Sequence, residues 1–295
     1  KKLGLKNKKE IERYGIAQFN QKCKESVWQY KKEWEKLTER IGFWLDMENP
    51  YITYEKDYTE TVWWILKEIY KKGLLHQDYK VVPYCPRCGT SLSSHEVAQG
   101  YKSIKEPAIY VKLRIKNPEF KNAYLLVWTT TPWTLPGNVA VAVNPQFIYL
   151  KVKIGEESLI LAKERMGALG VQGEILQEFK GKDLIDLRYE PLYPGDDEIA
   201  KSAYRVIPAD FVSLEEGTGL VHIAPAFGEE DMEVGKKNNL PVLLNVDSEG
   251  RFILEVKKWA GLFVKEADPL IIEDLRARNV LFKEELYEHD YPFCW

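Results

Sequence analysis

The 295-residue sequence is 45% hydrophobic and 29% charged, with a formal net charge of −3, an ordinary globular composition able to fill one large core or two modest ones. It holds no apolar run of about eighteen residues, the length a membrane span needs, and its lysine-rich start lacks the apolar stretch of a secretory signal; no membrane partner and a cytoplasmic location are expected. The cysteines Cys23, Cys85, Cys88 and Cys294 are too few and scattered for a disulfide framework, and a CxxC with a distant third cysteine suggests metal instead.

Residues 1–40 carry twelve Lys/Arg against six Glu. Such an arm is compatible with phosphate contacts, although a solvated helix face is the plainer reading. Asn7 followed by Glu10 has the form of a capping box and predicts a helix or helix pair from about residue 8. Phe19, Cys23, Val27, Tyr30, Trp34, Leu37 and Ile41 recur at steps of three and four and predict one helical stripe. The run DYTETVWWILKEIYKKG predicts another helix, capped by Asp57 or Thr59 and ended by Gly73. Its adjacent Trp63 and Trp64 face different sides, so at least one is expected to meet another element.

The stretch YCPRCGT has the form of a zinc knuckle in which Cys85 and Cys88 supply two of the four ligands of a closed site. Cys294 is a third candidate, and a CxxC built on it would need a cysteine at about position 297 by the motif's spacing, so the motif reads as cut. His95 and His289 are possible substitutes, although histidines more often pack or face solvent. A redox role is the lesser alternative, because no thioredoxin-like pattern surrounds the pair.

After Glu106 the texture changes to short β-rich runs, AIYVKLRI, AYLLVWT, VAVAV, FIYLKVKI, ESLILA, YRVIPADFV and GLVHIAP, which predict a β-barrel or a compact α+β domain with a boundary near residues 100–106. EADPLIIEDLRARN predicts a helix with Pro269 near its first turn, and VLFKEELYEH a strand. The last dozen residues are expected to return to the first module.

Two stretches carry chemistry. AYLLVWT delivers Thr129, Thr130 and Thr131 to the end of a strand that Pro132 stops, which places hydroxyls where a polar ligand or water could bind; threonine's liking for strands and turns is an equal alternative. EEGTGLVHIAPAFGEEDMEVG sets Gly217 and Gly219, which permit close backbone approach, before His222 on a strand and an acidic helix start at Glu229, Glu230 and Asp231. Read blandly, those acids complement a helix dipole and His222 is a core histidine.

With EKLTERIGFWLDMENPYIT, VWWILKEIYKKGLL, PYCPRCGTSLSSHEVAQGYK, WTTTPWTLPGNVAVAVNP and GLVHIAPAFGEEDMEVG, the chain resembles the isoleucyl-tRNA synthetases over nearly its whole length. Valyl and leucyl relatives carry arginine in the third hydroxyl position, where this chain has Thr131. The HIGH and KMSKS strings that ATP-dependent aminoacylation needs are both absent, so no ligase activity is expected of this chain alone, and ATP and Mg belong to the parent synthetase.

The resemblance implies an α+β fold: a β-barrel-like editing domain inserted in a flanking helical and zinc-knuckle part of a class I Rossmann-type synthetase. Residues 1–45 would flank the catalytic domain, 46–100 form the connective-peptide core with the knuckle, 101–285 the editing domain, and 286–295 return to the knuckle. It implies hydrolysis of mischarged valyl-tRNA(Ile), with the tRNA(Ile) acceptor end and the rest of the synthetase as partners. Isoleucine and valine differ by one methylene, which a pocket converts to only about 1–3 kcal/mol, a limit of which the isoleucyl enzymes are themselves the standard illustration.

By the same resemblance Asp231 would pair with the substrate ammonium and His222 line the side-chain pocket. Thr129, Thr130 and Thr131 would position adenosine, ester and water, with Thr134 and Asn138 in the same segment. Structural zinc would sit on Cys85, Cys88 and Cys294. The alternative is a non-catalytic tRNA-docking, zinc-stabilised module, inactive outside the intact synthetase.

Overall fold

The computed structural model describes residues 2–294; Lys1 and Trp295, the outer ends of the segments 1–45 and 286–295, lie outside the described residues. The chain divides into two compact units, one up to Tyr79 and one from Lys80 onward. No helix of the described residues is long and apolar enough to cross a membrane.

The first unit is helical: α1 (Lys8–Tyr14), α2 (Ile16–Val27), α3 (Lys31–Arg40) and α4 (Lys56–Lys71). Asn7 caps α1, accepting from Glu10 N at 3.0 Å. Glu10 reaches past it to the N–H of Lys6 at 2.7 Å, one residue off the reciprocal capping-box bond. The predicted stripe is broken by a 3-10 turn, Trp28–Tyr30, which rotates α3 relative to α2. Helix α4 starts after Glu55 with no side-chain cap; Thr59 and Thr61 bond back to carbonyls four residues before them, as threonines inside helices do. Gly73 ends it in the left-handed region, φ 70°. Trp63 and Trp64 are both exposed, 72% and 62%, against the expectation that one would be covered; none of these four helices buries a residue.

The second unit opens with a hairpin of β1 (Tyr84–Cys85) and β2 (Thr90–Ser91), then α5 (Ser94–Ala98), whose Ser93 and Glu96 form a complete capping box. Strand β3 (Tyr101–Arg114) leads into β4 (Ala123–Thr129), β5 (Ala140–Val143), β6 (Ile148–Ile154), β7 (Glu157–Ala162), α6 (Lys163–Ala168), β8 (Glu174–Lys180), α7 (Asp197–Ser202), β9 (Arg205–Pro208), β10 (Leu220–Ile223), α8 (Glu229–Lys237), α9 (Val264–Ala277) and β11 (Leu281–Pro292).

Nine of these strands form one mixed sheet that runs β8-β6-β7-β4-β10-β5-β9, with β3 and β11 added on β4. Strand β4 is where it forks. One edge pairs antiparallel with β3 along Tyr124–Thr129. The other pairs parallel with β7 at Ala123–Leu125 and then, at Trp128, with β10. Runs of β-branched and aromatic residues favour these strands, and because both faces are covered they read as continuous apolar stretches, β5 being buried at every position. Among the described residues β8 and β9 do not pair with each other, so the sheet is a curled half-barrel, open at its ends.

Two elements depart from expectation. Strand β8 was not predictable from EILQEFK, since only Phe179 is buried; pairing with β6 alone makes it a strand. Pro269 is the sixth residue of α9, inside the helix rather than in its first turn, so one backbone N–H of the helix ladder is missing there.

Candidate functional site

The fork delivers the end of β4 beside the start of β10, and the residues singled out from the sequence meet there. A cleft of about 370 Å³ is lined by Thr129, Thr130, Thr131 and Thr134, by the loop 216–219, and by His222, Phe227, Gly228, Glu230 and Asp231. Gly217 and Gly219 have φ of 65° and 75°, conformations that side chains resist. A Cβ on Gly217 would lie 3.0 Å from Trp128, and one on Gly219 2.4 Å from Ala162 Cβ. Those absences let the Gly-Thr-Gly loop press against β4 and the end of β7.

The threonines form a connected set. Thr129 Oγ1 accepts from Thr131 N at 3.1 Å and lies 3.2 Å from Thr131 Oγ1. Thr134 Oγ1 is 3.4 Å from Thr131 Oγ1, donates to Thr131 O at 2.8 Å, and lies 3.0 Å from His222 Nε2. A hydroxyl has one proton. With that proton on Thr131 O, the histidine must donate, which assigns His222 the Nε2–H tautomer. Its Nδ1 lone pair is buried and has no partner among the described residues. Burial lowers the His222 pKa to about 4, so the ring is neutral at pH 7. Thr130 lines the cleft beside them.

Opposite, Asp231 is the third residue of α8, and its Oδ2 accepts from Ala224 N at 2.8 Å. Burial, with Glu230 adding a like charge, raises its pKa to about 6. Gly228 makes room for it, since a Cβ there would lie 2.8 Å from the carboxyl carbon. The ionisable groups on the cleft are Glu216, Glu230, Asp231 and the neutral His222. No lysine or arginine among the described residues lines it, so its field favours a bound cation over an anion.

Asn138 is elsewhere. It is 4% exposed, donates to Ala140 O at 2.9 Å and accepts from Tyr189 at 2.7 Å, so its amide holds the chain after the threonine segment and does not line the cleft. Sequence reasoning passed over Phe227, which packs edge-on against Trp133 at 4.9 Å and lies over Gly137, where a Cβ would be 2.8 Å from its ring. The glycine in the Pro136-Gly137 turn was the available signal of that close approach.

The three cysteines are gathered by backbone. Gly89, at φ 68°, closes the hairpin with its N–H on Cys85 O at 2.8 Å, and Phe293 N bonds Gly100 O at 2.9 Å, which brings Cys294 alongside. The sulfurs of Cys85, Cys88 and Cys294 all lie within 4.8 Å of one another, with Cys88 and Cys294 4.0 Å apart. Tetrahedral zinc thiolates, at about 2.3 Å per bond, stand about 3.8 Å apart, so the spacing fits such an ion. His95 contacts Gln99 at 2.9 Å and His289 lies 3.5 Å from Glu106; neither is in the cluster.

The family model described as tRNA synthetases class I (I, L, M and V) matches residues 1–259. Isoleucine–tRNA ligase of Thermus thermophilus is 54% identical over 300 residues, and that of Clostridium acetobutylicum 51% over 295; the match covers 100% of this chain and 28% of each relative. The chain therefore spans a little over a quarter of the length of these relatives. A solved structure, the editing domain of P. knowlesi cytosolic leucyl-tRNA synthetase, aligns with 64% of this chain and 98% of its own length at 14% identity and a TM-score of 0.46, a likeness too low to carry an argument.

Proposed function

Because this chain belongs to the class I tRNA synthetases of the I, L, M and V group, we propose that its sheet unit is an editing region and that the cleft hydrolyses valyl-tRNA(Ile). The observation that carries the reading is one cleft lined both by a hydrogen-bonded chain, Thr129–Thr131–Thr134–His222, and by a half-buried carboxylate, Asp231, with no lysine or arginine among its described lining residues.

Asp231 anchors the α-ammonium through a charge-assisted bond in a partly desolvated site. Bound ammonium also favours the ionised carboxylate that burial opposes. His222, neutral and fixed by Thr134, presents bulk to the amino-acid side chain, so the extra methylene of isoleucine meets a wall. Thr129, Thr130 and Thr131 orient the ester and a water. The water oxygen adds to the ester carbonyl carbon, the bond from that carbon to the ribose oxygen breaks, and the ribose oxygen takes up the proton, leaving valine and free tRNA.

His222, with a pKa near 4, holds a proton weakly, and Asp231 is engaged with the ammonium, so no side chain is left to act as a general base. Positioning, with assistance from a ribose hydroxyl of the substrate, does the work.

Cys85, Cys88 and Cys294 would hold a zinc ion as a structural cross-link between the hairpin and the residues that follow β11. Attachment of isoleucine with ATP and Mg, and the cytoplasmic location, belong to the proposed parent enzyme. The test is single-turnover deacylation by excess protein. Valyl-tRNA(Ile) should be cleaved and isoleucyl-tRNA(Ile) spared, with the rate lost in Asp231→Ala; absence of release above the protein-free rate from a folded sample would leave only a tRNA-docking role.

A further inference from the structure

The segment Pro132–Gly137 is a 3-10 turn whose N-cap is Thr131. At such a position a threonine hydroxyl ordinarily folds back to accept from the N–H two or three residues on. Thr131 makes no such bond. Its Oγ1 lies instead between Thr129 Oγ1 at 3.2 Å and Thr134 Oγ1 at 3.4 Å, on the cleft. The Thr134 N–H bonds Thr131 O at 3.0 Å, which leaves the N–H of Trp133 to be satisfied. It donates to Asp268 Oδ1, at 2.8 Å, from a residue 135 positions away.

Asp268 is built for that task. It is the fifth residue of α9, 8% exposed, and α9 packs on the 3-10 turn. Lys265, 3.7 Å from Asp268 Oδ2, is itself held by Glu106 of β3 at 2.8 Å, so the carboxylate is fixed from the sheet side as well. An unbonded N–H at Trp133 would be costly away from water, and the nearest alternative acceptor along the chain is the Thr131 hydroxyl.

We infer that Asp268 is a positioning residue: it supplies from α9 the cap that Thr131 would otherwise provide, and so leaves the Thr131 hydroxyl in the cleft. This deepens the hydrolytic reading of the cleft and rests on it. Without Asp268, Thr131 turns back onto Trp133 N and leaves the threonine chain. Asparagine at 268 keeps an acceptor in place and rescues.

The test pairs a structural readout with a kinetic cycle. In a crystal structure of Asp268→Ala, Thr131 Oγ1 should lie within hydrogen-bond reach of Trp133 N, and the single-turnover deacylation rate should fall roughly 10- to 100-fold, as displaced catalytic groups do, while Asp268→Asn stays near the parent rate. In a Thr131→Val background, adding Asp268→Ala should change the rate less than about twofold, since residues acting through one group are not additive.

Additive losses, an Asp268→Asn as slow as Asp268→Ala, or a Thr131 that stays in the cleft of Asp268→Ala would overturn the assignment. Should Asp268→Ala not fold, amide exchange in Thr131→Val decides: the Trp133 N–H stays protected if Asp268 is its cap and loses protection if Thr131 is. If the parent chain cleaves no ester, the hydrolytic reading fails, while the Thr131 rotamer and Trp133 exchange still decide the role of Asp268.

Discussion

At the scale of single residues, Asp231 sets function against stability. Its pKa is raised by burial to about 6, above the 3.8 of an unburied aspartate, so between those values the folded protein binds more protons than the unfolded chain. Stability from this group is therefore fully present below the unfolded pKa and is lost as pH rises through about 6, by at most about 3 kcal/mol. The proposed hydrolysis would need the ionised form and should move the opposite way, rising with pH through an apparent pKa near 6 in the free protein and lower once the ammonium is bound. Asp231→Asn keeps an acceptor for Ala224 N but not the charge. It is expected to flatten the acid limb, to lower the deacylation rate by about 10- to 100-fold, and to be more stable than the parent at pH 7. A pH–rate profile beside urea unfolding at two pH values checks both; a variant with unchanged rate and limb would remove Asp231 from the ammonium site. The two peptides that carry Thr129, Thr131 and Asp231 were legible, because strand ends, prolines and glycines mark themselves in sequence, while their meeting in one site was an expectation from the family resemblance alone. That Asn138 faces Tyr189 and not the cleft was not legible, because one 3-10 turn between Thr131 and Asn138 rotates everything after it.

At the scale of elements, the Gly-Thr-Gly loop is held by two different constraints that substitution can separate. Gly155 and Gly219 both have positive φ, 60° and 75°, but a Cβ on Gly155 meets nothing within 4 Å while one on Gly219 meets Ala162 Cβ at 2.4 Å. Gly155→Ala should thus cost only the backbone term, about 1–2 kcal/mol. Gly219→Ala should cost clearly more, because the loop must also move off β7, and with it one side of the cleft. Chemical denaturation of the two variants measures the difference, and equal losses would mean the loop is not packed as described. Strands such as β4 and β7 were readable because burial on both faces requires unbroken apolar runs. Strand β8 was hidden, since its partner supplies the pairing while its side chains face solvent.

At the scale of the whole second unit, the ribbon of β3 and β11 runs from the cysteine cluster, where Tyr101 pairs with Pro292, to the core, where Val111 pairs with Leu281. On β3 the outer part, Tyr101–Pro107, is exposed or half-buried and the inner part, Ala108–Leu113, is buried, while β11 is exposed or half-buried throughout. A metal at the cysteines should therefore stiffen the outer half only. Titration with cobalt(II) is expected to give thiolate charge-transfer absorption that weakens in Cys294→Ser. Removing the metal should raise amide exchange at Tyr101–Lys105 and leave Ala108–Leu113 unchanged. Exchange that rises equally along the ribbon would show that the cluster supports the core itself.

By itself the sequence determined most of the apolar strands, the longer helices, the cysteine pair of the hairpin and the two peptides that line the cleft, because each depends on local rules: side-chain period, missing donors at proline, positive φ at glycine. The tertiary structure alone decided the fork of β4, the carboxylate that caps Trp133 from 135 residues away, and the buried environments that move Asp231 and His222 in opposite directions. Those depend on which residues are brought together and how much water is excluded around them, and neither distance nor hydration is a property of neighbours in the chain.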